Sequence, residues 1–240
     1  MTSFLRVEQA SRRFAGLLAV DSVSFAMERG EILSLIGPNG AGKTTLFNLI
    51  TGQLKPSDGA IVFRNENINE LAPHTRAQRG MSRTFQIAKP LTGLTTRENV
   101  MVGAFLRHRA HAAAYDHANA VLAEVGLEAR AEVPAGELTL SERRRLEVAR
   151  ALALEPELIL LDEVMAGLNA TEVTQVIDLI HRLNARGMTF LVIEHNLKVV
   201  RAFSRRVIVL DHGAKLAEGS AADVLSDPNV VRAYLGKRHG

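Results

Sequence analysis

Short apolar segments recur along the chain at the length of β-strands. Continuous apolar runs, or apolar residues that alternate with polar ones, indicate strands over residues 20–27, 32–36, 61–63, 158–161, 189–193 and 207–210. Helix-forming stretches separate several of these strands. Strands that alternate with helices are typical of an α/β fold with a mostly parallel sheet.

Capping residues predict where two of the helices begin. Thr95 and Glu98 precede a helix expected over 96–107, and Asn169 and Glu172 precede a helix expected over 170–186. In each pair the first side chain accepts a hydrogen bond from the backbone of the first turn. The glutamate three residues later accepts one from the N–H of the capping residue.

Three regions differ from this alternation. Residues 4–27 carry strand patterns with no helix between them, which predicts a small antiparallel sheet. From about 94 to 150 strand patterns cease and Ala, Arg and Leu dominate, which predicts an inserted helical subdomain. Near the C-terminus, Asp211-His212-Gly213 predicts a hairpin turn. One domain is therefore expected over 1–240, with its sheet portion at about 1–86 and 151–240 and its helical portion at about 87–150.

Composition excludes several classes of protein. The 240 residues are 47% hydrophobic and 23% charged, as expected of a globular chain. The absence of cysteine excludes disulfides, thiolate metal sites and cysteine nucleophiles. Lys and Arg number 29 and Asp and Glu 26, and the net charge of +3 is too small to predict nucleic-acid binding. No apolar run approaches the roughly 20 residues of a membrane span, and no signal-peptide pattern is expected at the N-terminus.

A glycine-rich motif predicts a phosphate-binding loop. The pattern G-x-x-x-x-G-K-[ST] is matched by Gly37, Pro38, Asn39, Gly40, Ala41, Gly42, Lys43 and Thr44. The motif follows the strand at 32–36 and precedes a helix from Thr45. Its backbone N–H groups and the helix N-terminus suit an anion. We expect Lys43 to bind the terminal phosphates and the Thr44 hydroxyl to bind Mg²⁺.

The apolar strand at 158–161 ends in two adjacent carboxylates. We expect this strand to lie beside the strand of the phosphate-binding loop and to deliver Asp162 to the Mg²⁺. Glu163 would then polarise the water that attacks the γ-phosphate.

With these motifs in order, the chain resembles the ATP-binding cassette (ABC) ATPases over essentially its whole length. The resemblance implies a RecA-like P-loop NTPase fold of the α/β class. It implies that Phe14 stacks on adenine beside an apolar wall from Val20, and that Gln86 links Mg²⁺ and water to the helical subdomain. It also implies that His195 orients the γ-phosphate and water. Thr45 completes the nucleotide-binding set.

The signature segment of the family differs here from its usual L-S-G-G-Q/E form. Thr139 replaces Ser and Ser141 replaces the second Gly, and the segment ends at Glu142. The resemblance implies that Thr139, Leu140, Ser141 and Glu142 face ATP bound to a second cassette. We expect a continuous helix over 142–154, with Ser141 as its N-cap or first residue. Two further departures are Val164 for Pro and Asn169 for Asp.

Within the family, several local stretches resemble the LivG-type subunits of branched-chain amino acid importers. They are Arg13-Phe14-Ala15-Gly16-Leu17, Arg83-Thr84-Phe85-Gln86, Ala166-Gly167-Leu168-Asn169, Glu194-His195-Asn196 and Ala233-Tyr234-Leu235-Gly236. This resemblance implies a dimeric, Mg²⁺-dependent ATPase on the cytoplasmic face of the inner membrane. Its expected partners are two membrane permease subunits and, indirectly, an extracytoplasmic solute-binding protein.

Other functions remain open from sequence. Related cassettes serve urea or amide uptake and lipopolysaccharide export. A cassette that binds ATP with little hydrolysis is a further alternative, although Glu163 and His195 argue against it. A soluble cassette acting on nucleic acid or ribosomes is disfavoured, because such proteins usually carry two cassettes or a coiled-coil insertion; we expect no nucleic-acid partner. The loosely spaced His108, His111, Asp116 and His117 are interpreted as a solvated helix face.

Overall fold

The computed structural model describes residues 3–84 and 90–235. Its strands are β1 (Leu5–Phe14), β2 (Leu17–Met27), β3 (Ile32–Ile36), β4 (Asp58–Phe63), β5 (Glu66–Asn67), β6 (Met81–Arg83), β7 (Leu158–Asp162), β8 (Thr189–Ile193), β9 (Arg206–Asp211) and β10 (Ala214–Ser220). Its α-helices are α1 (Lys43–Thr51), α2 (Pro73–Gln78), α3 (Thr96–Ala104), α4 (His111–Glu124), α5 (Leu140–Leu152), α6 (Ala170–Ala185), α7 (Leu197–Phe203), α8 (Ala221–Val224) and α9 (Pro228–Leu235).

The chain divides into two compact units. The first combines residues 1–76 with 189–240, and the second comprises 77–188. The helical segment predicted over 87–150 lies inside the second unit. That unit also holds 77–86 and 151–188, because β6 pairs with β7 in parallel and α5 packs against β6.

The first unit contains an antiparallel sheet in the order β2-β1-β4-β5. β1 pairs with β2 from Leu5 opposite Met27 to Phe14 opposite Leu17. Buried and exposed residues alternate along much of both strands, as expected of a sheet with one face on the core. The antiparallel sheet predicted over 4–27 is therefore confirmed.

The first unit also contains the buried strand β3, which lies between β8 and β9 and is parallel to both. Every residue of β3 and β8 is buried. β10 returns antiparallel to β9 through the predicted turn, in which His212 and Gly213 have φ of 45° and 83°. Two successive left-handed residues are characteristic of tight hairpin turns.

Helix boundaries in the second unit follow the capping pattern at their N-termini. The Thr95–Glu98 and Asn169–Glu172 capping boxes are both formed. The C-terminal limits were predicted less well, since α3 ends at Ala104 instead of 107 and α6 at Ala185 instead of 186. In the described part of the chain, no helix is long and apolar enough to cross a bilayer.

Candidate nucleotide-binding site

The phosphate-binding loop has a backbone that requires glycine at two positions. Gly37 has φ 149° and Gly42 has φ 96°. A Cβ atom at Gly37 would lie 2.2 Å from the Leu210 carbonyl oxygen, and one at Gly42 would lie 2.4 Å from the Ala19 carbonyl oxygen. Both the conformation and the close packing thus exclude a side chain. The loop is held open as a backbone cradle of the kind that binds phosphates.

Lys43 is the first residue of α1, and its side chain folds back over the loop. Its Nζ donates hydrogen bonds to the carbonyls of Gly37 and Pro38, at 2.8 and 2.9 Å. The residue is 6% exposed. The ammonium group is therefore fixed next to the cradle, where its charge is available to phosphate.

Helix α1 has an electrostatic arrangement that suits an anion at its N-terminus. Its first turn contains no acidic side chain. At the opposite end, the Arg76 guanidinium donates from Nη1 to the carbonyls of Leu49 and Ile50, at 2.7 and 2.6 Å. Arg76 is 2% exposed, and its burial lowers its pKa to about 10. A cation at the C-terminus offsets the negative end of the helix dipole.

The first two strands bring a second part of the predicted site to this loop. Ala19 of β2 contacts Gly42, and the Asp21 N–H donates to Gly213 O. Phe14, at the tip of the same β1–β2 hairpin, is 39% exposed, and the Arg12 guanidinium lies 4.8 Å from its ring centroid. Arg12 thus covers one face of the ring, and part of the Phe14 side chain remains exposed to solvent.

The expectation for Val20 is corrected by the structure. Val20 is completely buried, so it presents no surface to adenine. An irregularity in β2 explains this. The register shifts between Val20 and Val23, where Ser22 has φ 47°, so that Val20 faces the core together with Val23 and Phe25.

His195 follows β8, and the phosphate-binding loop follows β3. Leu35 of β3 lies opposite Ile193 of β8 in a parallel pair, so both segments leave the sheet at the same edge. His195 is exposed, and its backbone N–H donates to Glu194 Oε2 at 3.3 Å. The phosphate-binding loop and His195 therefore lie at the same edge of the sheet in the first unit. Ligand sites on parallel sheets are usually found at this edge.

Asp162 ends the buried strand β7 in the second unit. It is 1% exposed, and its Oδ2 accepts a hydrogen bond from Arg83 Nη2 at 2.7 Å. Its backbone N–H donates to the Thr84 hydroxyl at 3.1 Å. The carboxylate is thus buried, charge-compensated and held in one orientation.

Glu163 has an uncommon backbone conformation. Its φ is 51°, in the left-handed region that residues other than glycine seldom adopt. Its carbonyl accepts a hydrogen bond from the Ala166 N–H at 3.1 Å, which closes a turn directly after the strand. The turn redirects the chain immediately after Asp162.

The signature segment begins helix α5 earlier than predicted. The N-cap is Thr139, whose hydroxyl accepts from Glu142 N while Glu142 Oε2 accepts from Thr139 N. Ser141 is consequently the second helical residue, neither the cap nor the first. The prediction missed this because Thr139 and Glu142 form a capping box that was interpreted only as part of the signature.

The four signature residues differ in accessibility. Thr139 and Leu140 are exposed, whereas Ser141 and Glu142 are 7% and 9% exposed. Glu142 Oε1 accepts from Arg130 Nε at 2.7 Å, and hydrogen bonds from Thr139 and Arg130 outweigh desolvation to lower the Glu142 pKa. Within its own chain, Glu142 therefore anchors the start of α5.

The loop after Glu163 adjoins this helix start. A Cβ at Gly167 would lie 3.0 Å from Leu140 Cδ2. Ala166, Gly167, Thr139 and Leu140 are all exposed and form one surface on the second unit. We call these four residues the signature surface.

Oxygen ligands suited to Mg²⁺ are present among the predicted residues. The Thr44 hydroxyl and the Asp162 carboxylate are the hard donors that this ion prefers, so the donor set fits the ion. Gln86, the third predicted ligand, lies outside the described residues.

Sequence reasoning assigned no role to two arginines and one tyrosine. Arg83 and Tyr234 lie in stretches that resemble LivG-type subunits, but the Arg83–Asp162 pair was not expected, and Arg76 lies in no motif. Tyr234 of α9 packs against a core cluster that includes Ile36, the residue before the phosphate-binding loop. Burial raises the pKa of Tyr234 to about 12, opposed by the nearby Gly37 backbone.

Comparison with known proteins agrees with this geometry. Residues 20–166 match the family described as ABC transporter, and residues 214–240 match the family described as branched-chain amino acid ATP-binding cassette transporter. The first match covers more than half of the chain, so the chain belongs to the ABC transporter family and is an ATP-hydrolysing cassette.

Particular relatives cover nearly the whole chain. It is 39% identical to the high-affinity branched-chain amino acid transport ATP-binding protein LivG of Salmonella typhimurium, over 97% of this chain and 98% of that protein. A solved nucleotide-free cassette from an ABC transporter is 32% identical, with a TM-score of 0.91 over 98% of this chain and all of that one. A cassette dimer bound to ADP and Pi is 26% identical, with a TM-score of 0.82 over 90% and 98%. These structures confirm the predicted α/β fold.

Proposed function

We propose that this chain is the ATP-hydrolysing subunit of an importer for branched-chain amino acids. Branched-chain amino acids are proposed as the substrate class because residues 214–240 match the branched-chain amino acid cassette family and because LivG is a relative over nearly the whole chain. That segment contributes β10 and Tyr234, which packs on the core beside the phosphate-binding loop. The C-terminal segment that matches the branched-chain amino acid family therefore packs next to the strand that leads into the phosphate-binding loop.

The phosphate-binding loop holds the triphosphate in this proposal. Backbone N–H groups of 39–44, at the N-terminus of α1, donate to the β- and γ-phosphates. Lys43 exchanges its loop carbonyls for phosphate oxygens. Thr44 and Asp162 hold Mg²⁺, which when bound neutralises charge on the phosphates. The Phe14 ring stacks on the base.

Glu163 and His195 serve the hydrolytic step. Glu163 accepts a hydrogen bond from water and orients it towards the γ-phosphorus, while His195 donates to a γ-phosphate oxygen. The water oxygen bonds to phosphorus as the bond to the β-phosphate oxygen breaks, which gives ADP and phosphate. Both side chains lie at the ends of buried parallel strands, which supports fixed positions.

A second cassette completes the site. Thr139 and Leu140 are exposed at the start of α5. The Thr139 hydroxyl oxygen accepts the capping hydrogen bond from Glu142 N. Its hydrogen can therefore donate to a γ-phosphate oxygen. The dimeric relative bound to ADP and Pi supports pairing of two such chains. We propose that the signature surface faces ATP of the partner cassette.

The membrane subunits bind residues 86–94 and the start of α3. Leu91 of this segment is 42% exposed, although apolar. Exposed apolar side chains of this kind mark interaction surfaces. The proposal places the chain at the cytoplasmic face of the inner membrane, with a solute-binding protein acting on the other side.

Reconstitution with the permease subunits tests the proposal. The assembled transporter in vesicles is expected to hydrolyse ATP faster when its binding protein is loaded with leucine, isoleucine or valine. Stimulation by urea or short amides alone would assign a different uptake system. Extraction of lipopolysaccharide from the vesicles would assign an exporter, and either result would overturn the proposed substrate class.

A further inference from the structure

Two histidines and a glutamate converge on the second unit, away from the groups that serve ATP. They are His108, in the connection between α3 and α4, His117 on α4, and Glu155, which follows α5. One ring nitrogen of each histidine and one carboxylate oxygen of Glu155 all lie within 4.8 Å of one another. His108 and His117 are therefore not part of a solvated helix face, contrary to the sequence interpretation. His111 and Asp116 are exposed, as that interpretation expected.

The three side chains already lie close to one another. His108 Nε2 forms a hydrogen bond with Glu155 Oε1 at 2.7 Å, and His117 Nδ1 lies 3.8 Å from the same oxygen. The two imidazole centroids are 4.6 Å apart. Ligands at about 2.0–2.2 Å around a tetrahedral Zn²⁺ are separated by about 3.3–3.6 Å. Small rotations of surface side chains would therefore bring all three groups into coordination distance.

His117 lacks a hydrogen-bond partner that would account for its orientation. Its Nε2 is buried and finds no partner among the described residues. Its Nδ1 is too far from Glu155 for a hydrogen bond. An imidazole without partners is unfavourable. Coordination of an ion through Nδ1, the nitrogen that faces Glu155, would give this ring a partner, while Nε2 would remain unpaired.

Hydrogen bonds fix the backbone around Glu155. Glu155 has φ 51°, a left-handed conformation in which glycine would be more stable. The turn is fixed by the hydrogen bond from Glu155 N to Leu152 O at 2.8 Å. Arg107 Nη2 donates to Gln78 O at 2.9 Å and its Nε approaches Leu154 O at 3.5 Å, which holds the His108 segment against this turn. These hydrogen bonds thus hold Glu155 and the His108 segment next to each other.

We propose that His108, His117 and Glu155 bind a divalent transition-metal ion of the Zn²⁺ type. Two imidazoles and one carboxylate form a ligand set that zinc uses with a water molecule in the fourth position. Imidazole nitrogens select such ions over Mg²⁺. The side chains of His108, His117 and Glu155 are 30%, 21% and 44% exposed, so an ion can enter from solvent. The bound ion joins the α3–α4 connection, α4 and the turn after α5.

Zinc titration of the full chain tests this site. The protein is treated with a chelator, freed of nucleotide, and titrated with ZnCl₂ against a chromophoric competitor. One equivalent is expected to bind and to raise the melting temperature, and excess Mg²⁺ should not displace it. His117→Ala and Glu155→Gln should each weaken binding at least about ten-fold, since even changes behind metal ligands cost this much. His111→Ala, on the same helix but outside the cluster, is the control and should bind as the wild type does.

A second variant separates loss of the site from loss of folding. Glu155→Gly removes the carboxylate and relieves the left-handed backbone, so the zinc-free variant should melt no lower than the zinc-free wild type. It should also lose the zinc-dependent rise in melting temperature. Bound Co²⁺ should give the intense visible absorption of a tetrahedral site in the wild type and lose it in the His108→Ala variant. Wild-type zinc affinity in the His108→Ala/His117→Ala double variant, or no stoichiometric binding by the wild type, would overturn the proposal.

Discussion

Arg83 Nη2 lies 2.7 Å from Asp162 Oδ2, in an ion pair whose side chains are 8% and 1% exposed. The proposed Mg²⁺ ligand therefore has a compensating cation within its own unit. An isolated buried carboxylate is strongly unfavourable. Arg83 thus stabilises the burial of Asp162, and Mg²⁺ would be a second cation beside the same carboxylate.

Arg83→Gln is expected to destabilise the nucleotide-free protein by about 3–5 kcal/mol, because it leaves Asp162 buried without this partner. Mg²⁺ with a non-hydrolysable ATP analogue should then raise the melting temperature of the variant more than that of the wild type. Lys55→Gln is the control, since Lys55 and Glu70 form an exposed pair worth less than about 1 kcal/mol. Equal stability of Arg83→Gln and Lys55→Gln in thermal unfolding would contradict the assigned role.

Glu163→Gln is expected to retain ATP binding and to reduce turnover by at least about 10²-fold, the lower range for a positioned base. The amide keeps the size of the side chain but cannot accept the proton of water in the same way. Lys43→Ala should instead lose nucleotide affinity, because it removes a contact with the phosphates made before hydrolysis. Steady-state hydrolysis and equilibrium nucleotide binding measure the two effects separately. Near-normal hydrolysis in Glu163→Gln would refute the assignment.

The signature helix permits a test of Ser141. As the second helical residue it needs no glycine, and Gly there would cost the helix about 1 kcal/mol or less. Ser141→Gly should therefore change ATP hydrolysis by no more than a few-fold. Ser141→Arg should prevent ATP-dependent dimerisation, because a long cation would replace a small side chain at the start of α5.

Both Ser141 variants are best compared in a Glu163→Gln background, where ATP persists and the dimer can be measured by light scattering. A large gain in dimer affinity for Ser141→Gly would show that the native serine is strained. Unchanged dimerisation of Ser141→Arg would show that this segment does not face the partner's ATP.

Leu91 gives a test of the membrane interface. Its backbone is fixed by Asn99, whose Oδ1 accepts from Leu91 N at 2.8 Å and whose Nδ2 donates to Leu91 O at 3.0 Å. The side chain itself is exposed, so Leu91→Asp should leave the fold and the ATPase activity of the isolated chain intact. Copurification with the permease subunits should fall. Ile87, a second apolar residue of the 86–94 segment, lies outside the described residues. Unfolding of Leu91→Asp with assembly retained would identify a core position instead.

Tyr234 gives a pH-dependent test. The chain has two tyrosines and no tryptophan, so in a Tyr115→Phe variant the phenolate absorbance reports Tyr234 alone. Its midpoint should lie near 12, because burial raises the pKa. The unfolded-state pKa is about 10. The contribution of Tyr234 to stability is therefore complete below about pH 10 and is lost as the pH rises towards 12.

The matched measurement compares urea unfolding of this variant with that of Tyr115→Phe/Tyr234→Phe at about pH 9 and about pH 11. The stability difference between the two variants should shrink at the higher pH, since phenylalanine has no proton to lose. A phenolate midpoint near that of free tyrosine would show that the ring is not buried against the core.

Local signals in the sequence predicted the parts of the fold that depend on neighbours in the chain. The glycines of 37–42, the Thr95–Glu98 cap and the turn at His212 each act over a few residues. The end of α3 was misjudged because apolar residues continue beyond it to Phe105 and Leu106, although the last turn there is tighter, with Leu106 N bound to Gly103 O. Periodicity does not reveal where such a helix stops.

Relationships between distant residues could not be predicted in this way. Arg83 and Asp162 are 79 positions apart, and Arg76 binds carbonyls 26 and 27 positions away. The family resemblance implied that Val20 contacts the nucleotide. Its side chain lies on the core face of β2 instead and is completely buried. Glu155 was not considered with His108 and His117 because it belongs to a different turn, 47 positions from His108.

The buried Arg76 has a consequence for how ATP affects the stability of the chain. The guanidinium donates to two carbonyls at the C-terminal end of α1, whereas the first turn of the helix has no acidic side chain of its own. A bound triphosphate places negative charge beside that first turn. Nucleotide and Arg76 therefore stabilise the same helix dipole from opposite ends, so that their effects on the stability of α1 have the same sign.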